Sequence, residues 1–308
     1  MPLSILSKLA LCFAFCMLMA CDFNSEQQTN FNPSESVFVK WDTNYYYHTE
    51  NIYQFFSPDQ ALENMISAHR GSRYYDGWPE NCLESFEFIL ENLPAVLEMD
   101  LRLSSDSVVF LLHDETLDRT TTGSGYANQK SYEKISRLQL LDHRGDTTDF
   151  NPPLLSEVLE WSEGKAILKL DIKRNVPFEL VIDEIRTADA VQRVMVIVYS
   201  LNAARVFHRL APDIVMSIPI RNHEELEAVR DSGIPPEVIV AFTGTRDTDQ
   251  KLFEELNNMG IIAIQGTLGN LDRKAKSKGF DAIAKYFRNG AHMIATDYPI
   301  ELYSFINN

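Results

Sequence analysis

The sequence predicts an α/β chain folded as a (β/α)8 barrel. Three observations lead there: short β-rich apolar runs recur through residues 54–308, helical-period stretches separate most of them, and the composition is 45% hydrophobic and 23% charged, that of an ordinary globular chain. Strands alternating with helices over about 250 residues argue for a parallel sheet, and a closed barrel is its simplest form at that length.

The apolar runs are Met65–Ala68, Val96–Leu101, Val108–Leu112, Ala166–Ile172, Val194–Tyr199, Ile214–Ile218, Val238–Phe242, Ile261–Ile264 and Met293–Ala295. Helical spacing occupies Leu83–Leu90, Glu179–Ile185, Ala203–Leu210, Glu224–Val229 and Gln250–Met259. Nine runs exceed eight strands by one. Only Arg102 to Ser107 separate the second run from the third, too few residues for a parallel crossover, so these two form a β-hairpin extending from the second barrel strand. A turn centred on Asp106 and Ser107 sets Asp100 nearly opposite His113 and Glu98 nearly opposite Glu115. Alternation puts Leu97, Met99 and Leu101 on the helix-facing side and leaves Glu98 and Asp100 facing the interior, with His113 on the neighbouring arm. Two carboxylates and an imidazole then meet at the C-terminal mouth, where barrel enzymes keep their chemistry.

Ahead of the barrel, Lys8 precedes the apolar run Leu9 to Ala20, too short to span a bilayer but right for a signal-peptide core. It ends Leu18-Met19-Ala20-Cys21, which resembles a bacterial lipobox. That resemblance implies removal of residues 1–20, lipidation of Cys21, and a place in the bacterial cell envelope, held to a membrane by the lipid. Residues 21–53 read as a polar tether, its Tyr45-Tyr46-Tyr47 cluster packing against the barrel. Of the four cysteines only Cys82 then remains, a small buried apolar residue, so stability comes from a core and not from disulfides. Lys+Arg total 28 against Asp+Glu 44, a net charge of −16. Such a chain is no nucleic-acid binder and does not adsorb to anionic lipid by charge.

Five motifs follow one another along the folded part: Ala68-His69-Arg70-Gly71; Pro79-Glu80-Asn81; Glu98-Met99-Asp100; His113-Asp114 with Leu117-Asp118-Arg119-Thr120-Thr121 and Gly123-Ser124-Gly125; and Leu170-Asp171-Ile172-Lys173. The chain closes with Gly290-Ala291-His292-Met293-Ile294-Ala295-Thr296-Asp297-Tyr298-Pro299. In order and spacing this resembles the glycerophosphodiester phosphodiesterase family, whose fold is the phospholipase C-like phosphodiesterase TIM barrel. The resemblance implies an acid/base pair in His69 and His113, metal ligands in Glu98, Asp100 and Asp171, and phosphate-facing charge in Arg70 and Lys173. Glu80 and Asn81 match the motif that lines the substrate site. Asp171 stands where the family most often has Glu, and Cys82 where it has Thr. In place of a Trp-Thr-Val type strand the chain reads Ile264-Gln265-Gly266-Thr267-Leu268-Gly269-Asn270.

The chemistry of a phosphodiester asks for such a set. Its anionic charge must be neutralised, the nucleophile needs a base, and the leaving alkoxide needs an acid. Carboxylates without thiol or imidazole partners suit a hard cation, Mg²⁺ or Ca²⁺. The expected reaction is metal-dependent hydrolysis of a small-molecule glycerophosphodiester to sn-glycerol 3-phosphate and an alcohol. Two alternatives stay open here: a lipid-directed phospholipase C-like enzyme, and a non-catalytic lipid-anchored binding protein. His48, His143, His208, His223 and His292 read as structural or surface residues.

Overall fold

The computed structural model describes residues 38–41, 44–47, 49–59 and 61–308. β1 (Phe38–Trp41) and β2 (Asn44–Tyr47) form an antiparallel ribbon, followed by the single-turn helix α1 (Ile52–Phe55). The barrel strands are β3 (Met65–Ala68), β4 (Val96–Leu103), β6 (Ile167–Ile172), β7 (Val194–Ile197), β8 (Val215–Pro219), β9 (Ile239–Phe242), β10 (Ile262–Gly266) and β11 (Met293–Thr296). Neighbours in that series pair in parallel, and β3 pairs with β11 as well as β4, which closes the ring. β5 (Val109–Leu111) lies outside it, antiparallel to β4. Helices between the strands shield the outer face. In α2 (Leu83–Asn92), Phe86, Ile89 and Leu90 recur at three- and four-residue intervals and are fully buried. The helix ends as the chain turns extended at Leu93, the residue before Pro94.

Period-two alternation sorts every strand. Ile66, Leu97, Met99, Leu168, Leu170, Val196 and Met216 point outward into the helix-packed core. Met65, Val96, Ile167, Met195, Val215, Val240, Ile262 and Met293 point inward and fill the lower barrel with apolar side chains. One step up, the inward positions hold Ser67, Glu98, Lys169 and Ser217, and the step above brings Asp100 and Asp171. The same alternation that builds the core therefore delivers charge to the mouth.

Two expectations change. The hairpin exists, but its register pairs Leu101 with Leu111 and Leu103 with Val109, so Asp100 faces Leu112 and not His113. The cause is a three-residue loop: Ser104 and Val108 close it, and Ser107 takes φ +63°. Secondly, within the stretch expected as a tether, Phe38–Trp41 and Asn44–Tyr47 are strands and Ile52–Phe55 is a helical turn. Tyr47, Ile52, Phe55 and Phe56 are buried against the lower barrel row, with the Tyr47 and Phe55 rings 5.5 Å apart. Burying such side chains contributes about 1.5–3 kcal/mol each, enough to dock a polar segment. Asn51 caps α1, its side chain accepting from the Tyr53 and Gln54 amides. Residues 1–20 and Cys21 lie outside the described residues. Among the described residues no helix is long and apolar enough to cross a membrane.

Candidate active site

The turn after β3 sets the first part of the site. Arg70 at φ +55° and Gly71 at φ +70° swing the chain sharply off the strand, and a Cβ on Gly71 would lie 2.4 Å from the Phe86 ring. The turn aims the Arg70 amide at Glu98, whose Oε2 accepts it at 2.8 Å. The Arg70 guanidinium donates to both Glu80 oxygens at 3.0 and 3.2 Å, and its Nε lies 3.3 Å from Asp100. Asn81, also at positive φ, clamps Asp100 from two sides. Its Nδ2 donates to the carboxylate at 2.8 Å, and its Oδ1 accepts the Asp100 amide at 2.8 Å.

Glu98, Asp100 and Asp171 each offer an oxygen within 4.8 Å of the others, all three buried. Burial first, and Asp100 next, push the Glu98 carboxyl up to about 7. Asp100 is held well below the usual range: burial opposes this, but Lys173 and Arg70 prevail. Lys173 Nζ sits between Asp100 at 2.6 Å and Asp171 at 2.5 Å, and the Tyr199 hydroxyl donates to Asp171. A donor set made only of carboxylate oxygens, with Glu98 short of compensating charge, fits a hard divalent cation. Asp171 completes it despite its shorter side chain.

Both histidines are oriented the same way. His69 Nδ1 lies 2.6 Å from Asp297 and His113 Nδ1 2.6 Å from Asp114. A carboxylate at Nδ1 keeps the proton there and leaves Nε2 to the site. His69 Nε2 is 3.9 Å from Glu98. Asp297 is itself held, its amide donating to Asp272 at 2.8 Å. Arg119 fixes the other pair, binding Asp114 at 2.7 and 2.9 Å and Glu80 at 2.7 and 3.1 Å. Although burial raises Glu80, Arg119 and Arg70 hold it ionised. His113 reaches the mouth despite the shifted register because β5 ends at Leu111 and Arg102 grips the His113 carbonyl at 2.6 Å.

All nine barrel residues singled out from the sequence converge. Arg70, Glu80 and Asn81 are engaged with one another's neighbours, and their visible work is to position Asp100 and Glu98. Asp297, Asp114, Arg119, Tyr199 and Lys169 were not singled out. The first three stand inside quoted motifs, which was the available signal. Lys169 shares the inward period of Asp171. Cys82 is buried, its thiol pushed up by burial and donating to Glu84 at 2.8 Å.

Beside the carboxylates opens a pocket of about 330 Å³. His69, Glu98 and Asp171 form one side of it, and Ile197, Phe242 and Leu268 another. Phe242 supplies an aromatic wall, for which Gly266 makes room: a Cβ there would meet the ring at 2.7 Å.

A closed barrel whose C-terminal mouth holds three carboxylates and two oriented imidazoles has the parts of a hydrolase. The glycerophosphoryl diester phosphodiesterase family profile matches residues 69–280. The chain belongs to that family. It is similar to a solved glycerophosphoryl diester phosphodiesterase from Parabacteroides distasonis, 32% identical at a TM-score of 0.78, covering 83% of this chain and 90% of that one. A glycerophosphodiester phosphodiesterase from Bacillus altitudinis is 29% identical over 161 residues, 50% of this chain and 65% of that relative. A phosphodiesterase from Oleispira antarctica, solved in complex with the product sn-glycerol-3-phosphate, shares the fold at 19% identity and a TM-score of 0.65, covering 84% of this chain and 100% of that one.

Proposed function

We propose that this chain hydrolyses a glycerophosphodiester to sn-glycerol 3-phosphate and an alcohol. Glu98, Asp100 and Asp171 would hold one divalent cation, Mg²⁺ or Ca²⁺. The observation that carries this is the three-carboxylate cluster flanked by two His–Asp pairs. A bound hard cation supplies positive charge for the non-bridging phosphate oxygens. Arg70 and Lys173 add fixed positive charge on the same side. One imidazole takes the proton of the attacking oxygen through Nε2, and the other gives a proton to the departing alkoxide. Asn81 and Glu80 act through Asp100 and Arg70, keeping ligand and guanidinium in place. The sn-glycerol-3-phosphate bound by the Oleispira antarctica enzyme supports the same product here.

The test is hydrolysis of a panel of glycerophosphodiesters, with products identified by phosphorus NMR, before and after chelation. Chelation should abolish turnover and either Mg²⁺ or Ca²⁺ restore it. Turnover indifferent to chelator overturns the metal assignment, and release of a phosphate ester other than sn-glycerol 3-phosphate overturns the substrate.

The proposal extends to the N-terminus. Residues 1–20 act as a signal peptide and Cys21 carries the lipid that holds the enzyme to a membrane of the bacterial envelope, as the lipobox-like Leu18-Met19-Ala20-Cys21 supports. Cys21→Ala should release active protein from the membrane fraction. A soluble, unlipidated wild type overturns the anchor.

A further inference from the structure

Lys169 has no role in the chemistry above, yet its position is unusual. It lies on β6, 3% exposed, pointing into the barrel one step below Asp171. Among the described residues its ammonium makes no hydrogen bond or ion pair; the face of the Phe242 ring, 5.2 Å away at its centroid, attends it. Two hydroxyls share that condition. Ser67 on β3 and Ser217 on β8 are buried, and among the described residues their Oγ atoms have no hydrogen-bond partner. All three side chains line the one pocket beside the carboxylates.

β3, β6 and β8 are alternate strands of the ring, so these residues belong to one layer of the interior. Barrels ordinarily fill such a layer with branched apolar side chains, as this one does a step below. Three side chains around one cavity with no hydrogen-bond partner among the described residues are costly unless something there accepts from them. Burial lowers the Lys169 pKa, and the negative charge of Glu98 and Asp171 only partly offsets it. Service as their counter-charge accounts for an ammonium, but it leaves the two serine hydroxyls unexplained.

We propose that Lys169, Ser67 and Ser217 form a hydrogen-bonding floor that recognises oxygens on the half of the substrate lying deepest in the pocket, once its phosphate is at the carboxylate cluster. This rests on the phosphodiesterase reading of the mouth and adds a rule of selection. A lysine nitrogen and two hydroxyls offer donors, so the floor takes hydroxyl or carboxylate oxygens and gives nothing to a cationic head group such as choline, which can accept no hydrogen bond. A cationic alcohol is accommodated only with its charged end outside. Phe242 and Ile197 keep the surroundings apolar, which strengthens both the attraction and the exclusion.

The experiment measures binding by titration calorimetry to the full-length protein with saturating Mg²⁺, using three probes. Ethyl phosphate carries no oxygen beyond the phosphate, sn-glycerol 3-phosphate adds hydroxyls, and 3-phosphoglycerate adds a carboxylate. Wild type should prefer one or both oxygen-bearing probes over ethyl phosphate by at least about tenfold, a modest share of what built hydrogen-bonding sites achieve. The hydroxyl and carboxylate arms identify which oxygen the floor takes. In Lys169→Met the preference should fall to within about threefold, and Ser217→Ala, which removes only one oxygen atom, should lower it by a smaller factor. Thermal melts of both variants confirm that they fold. A preference unchanged in both variants, or absent from the wild type, overturns the floor. Failure of ethyl phosphate to bind at all is a separate result, and it overturns the phosphate site on which the floor depends.

Discussion

The lower and upper halves of the barrel interior are made by the same eight strands, at the same alternate positions, and they could hardly differ more. Below, Met65, Val96, Ile167, Met195, Val215, Val240, Ile262 and Met293 fill the space with side chains that carry no charge, and Tyr47, Ile52, Phe55 and Phe56 close the end. Above, Glu98, Asp100, Lys169 and Asp171 are all at least nine-tenths buried, and Glu98 carries its carboxyl at about 7 because burial and Asp100 disfavour its charge. The lower half has the surplus of burial; the upper half uses some of it to hold charges that water would otherwise solvate. Chemistry and stability are thus separated along the barrel axis by a few ångströms.

The sharpest way to break that division is at the mouth. His69→Ala should lower kcat by about 10²–10⁴-fold, the range for losing a general acid or base, while leaving thermal unfolding near that of wild type. His113→Ala should behave alike. Near-full turnover in either variant contradicts the two-histidine assignment.

The converse variant lies below. Ile167 is 1% exposed on the same strand as Asp171. Ile167→Ala should cost about 2–5 kcal/mol in denaturant unfolding, with kcat per folded molecule unchanged below the transition. A loss of kcat in fully folded protein would show that the two halves are coupled.

At the boundary stands Asp171, joined to Lys173 and to the Tyr199 hydroxyl. Asp171→Asn should raise the Mg²⁺ or Ca²⁺ needed for half-maximal activity by at least about tenfold, the low end even for lost supporting partners of a ligand, with partial recovery at high metal. Asp171→Glu should shift the requirement in one direction or the other. An unchanged requirement in both variants removes Asp171 from the ligand set and makes it a structural partner of Lys173.

The smallest effect tests buried charge without chemistry. Glu184 lies on the helix Phe178–Thr187, and burial pushes its carboxyl up to about 7 from 4.5. Between those values the unfolded chain releases this proton and the folded chain keeps it, so stability falls as pH rises from about 4.5 to 7 and is level above. Glu184→Gln should therefore stabilise the fold at pH 8 and not at pH 4, by less than about 1 kcal/mol because the group is partly solvated. Equal melting shifts at both pH values contradict the assignment.

The sequence by itself determined the strands, because period-two alternation is a local property. Leu97, Met99 and Leu101 against Glu98 and Asp100 already say which face is buried by helices and which looks inward. It also determined that β4 and β5 form a hairpin, since six intervening residues permit nothing else, and the motif order was enough to suggest the acid/base pair and the ligands. Tertiary structure decided the rest. The hairpin register turned on Ser107 adopting a left-handed conformation, which nothing in a serine announces. Residues 21–53 read as a polar tether, and only the barrel's lower opening gives Tyr47 and Ile52 a place to bury. His69 meets Asp297 across 228 positions of chain, and Lys169 lines one pocket with Ser67 and Ser217 only because alternate strands of a closed ring share a layer. Periodicity is written along the chain, but which charges face one another is settled by closure, where burial makes each pairing count.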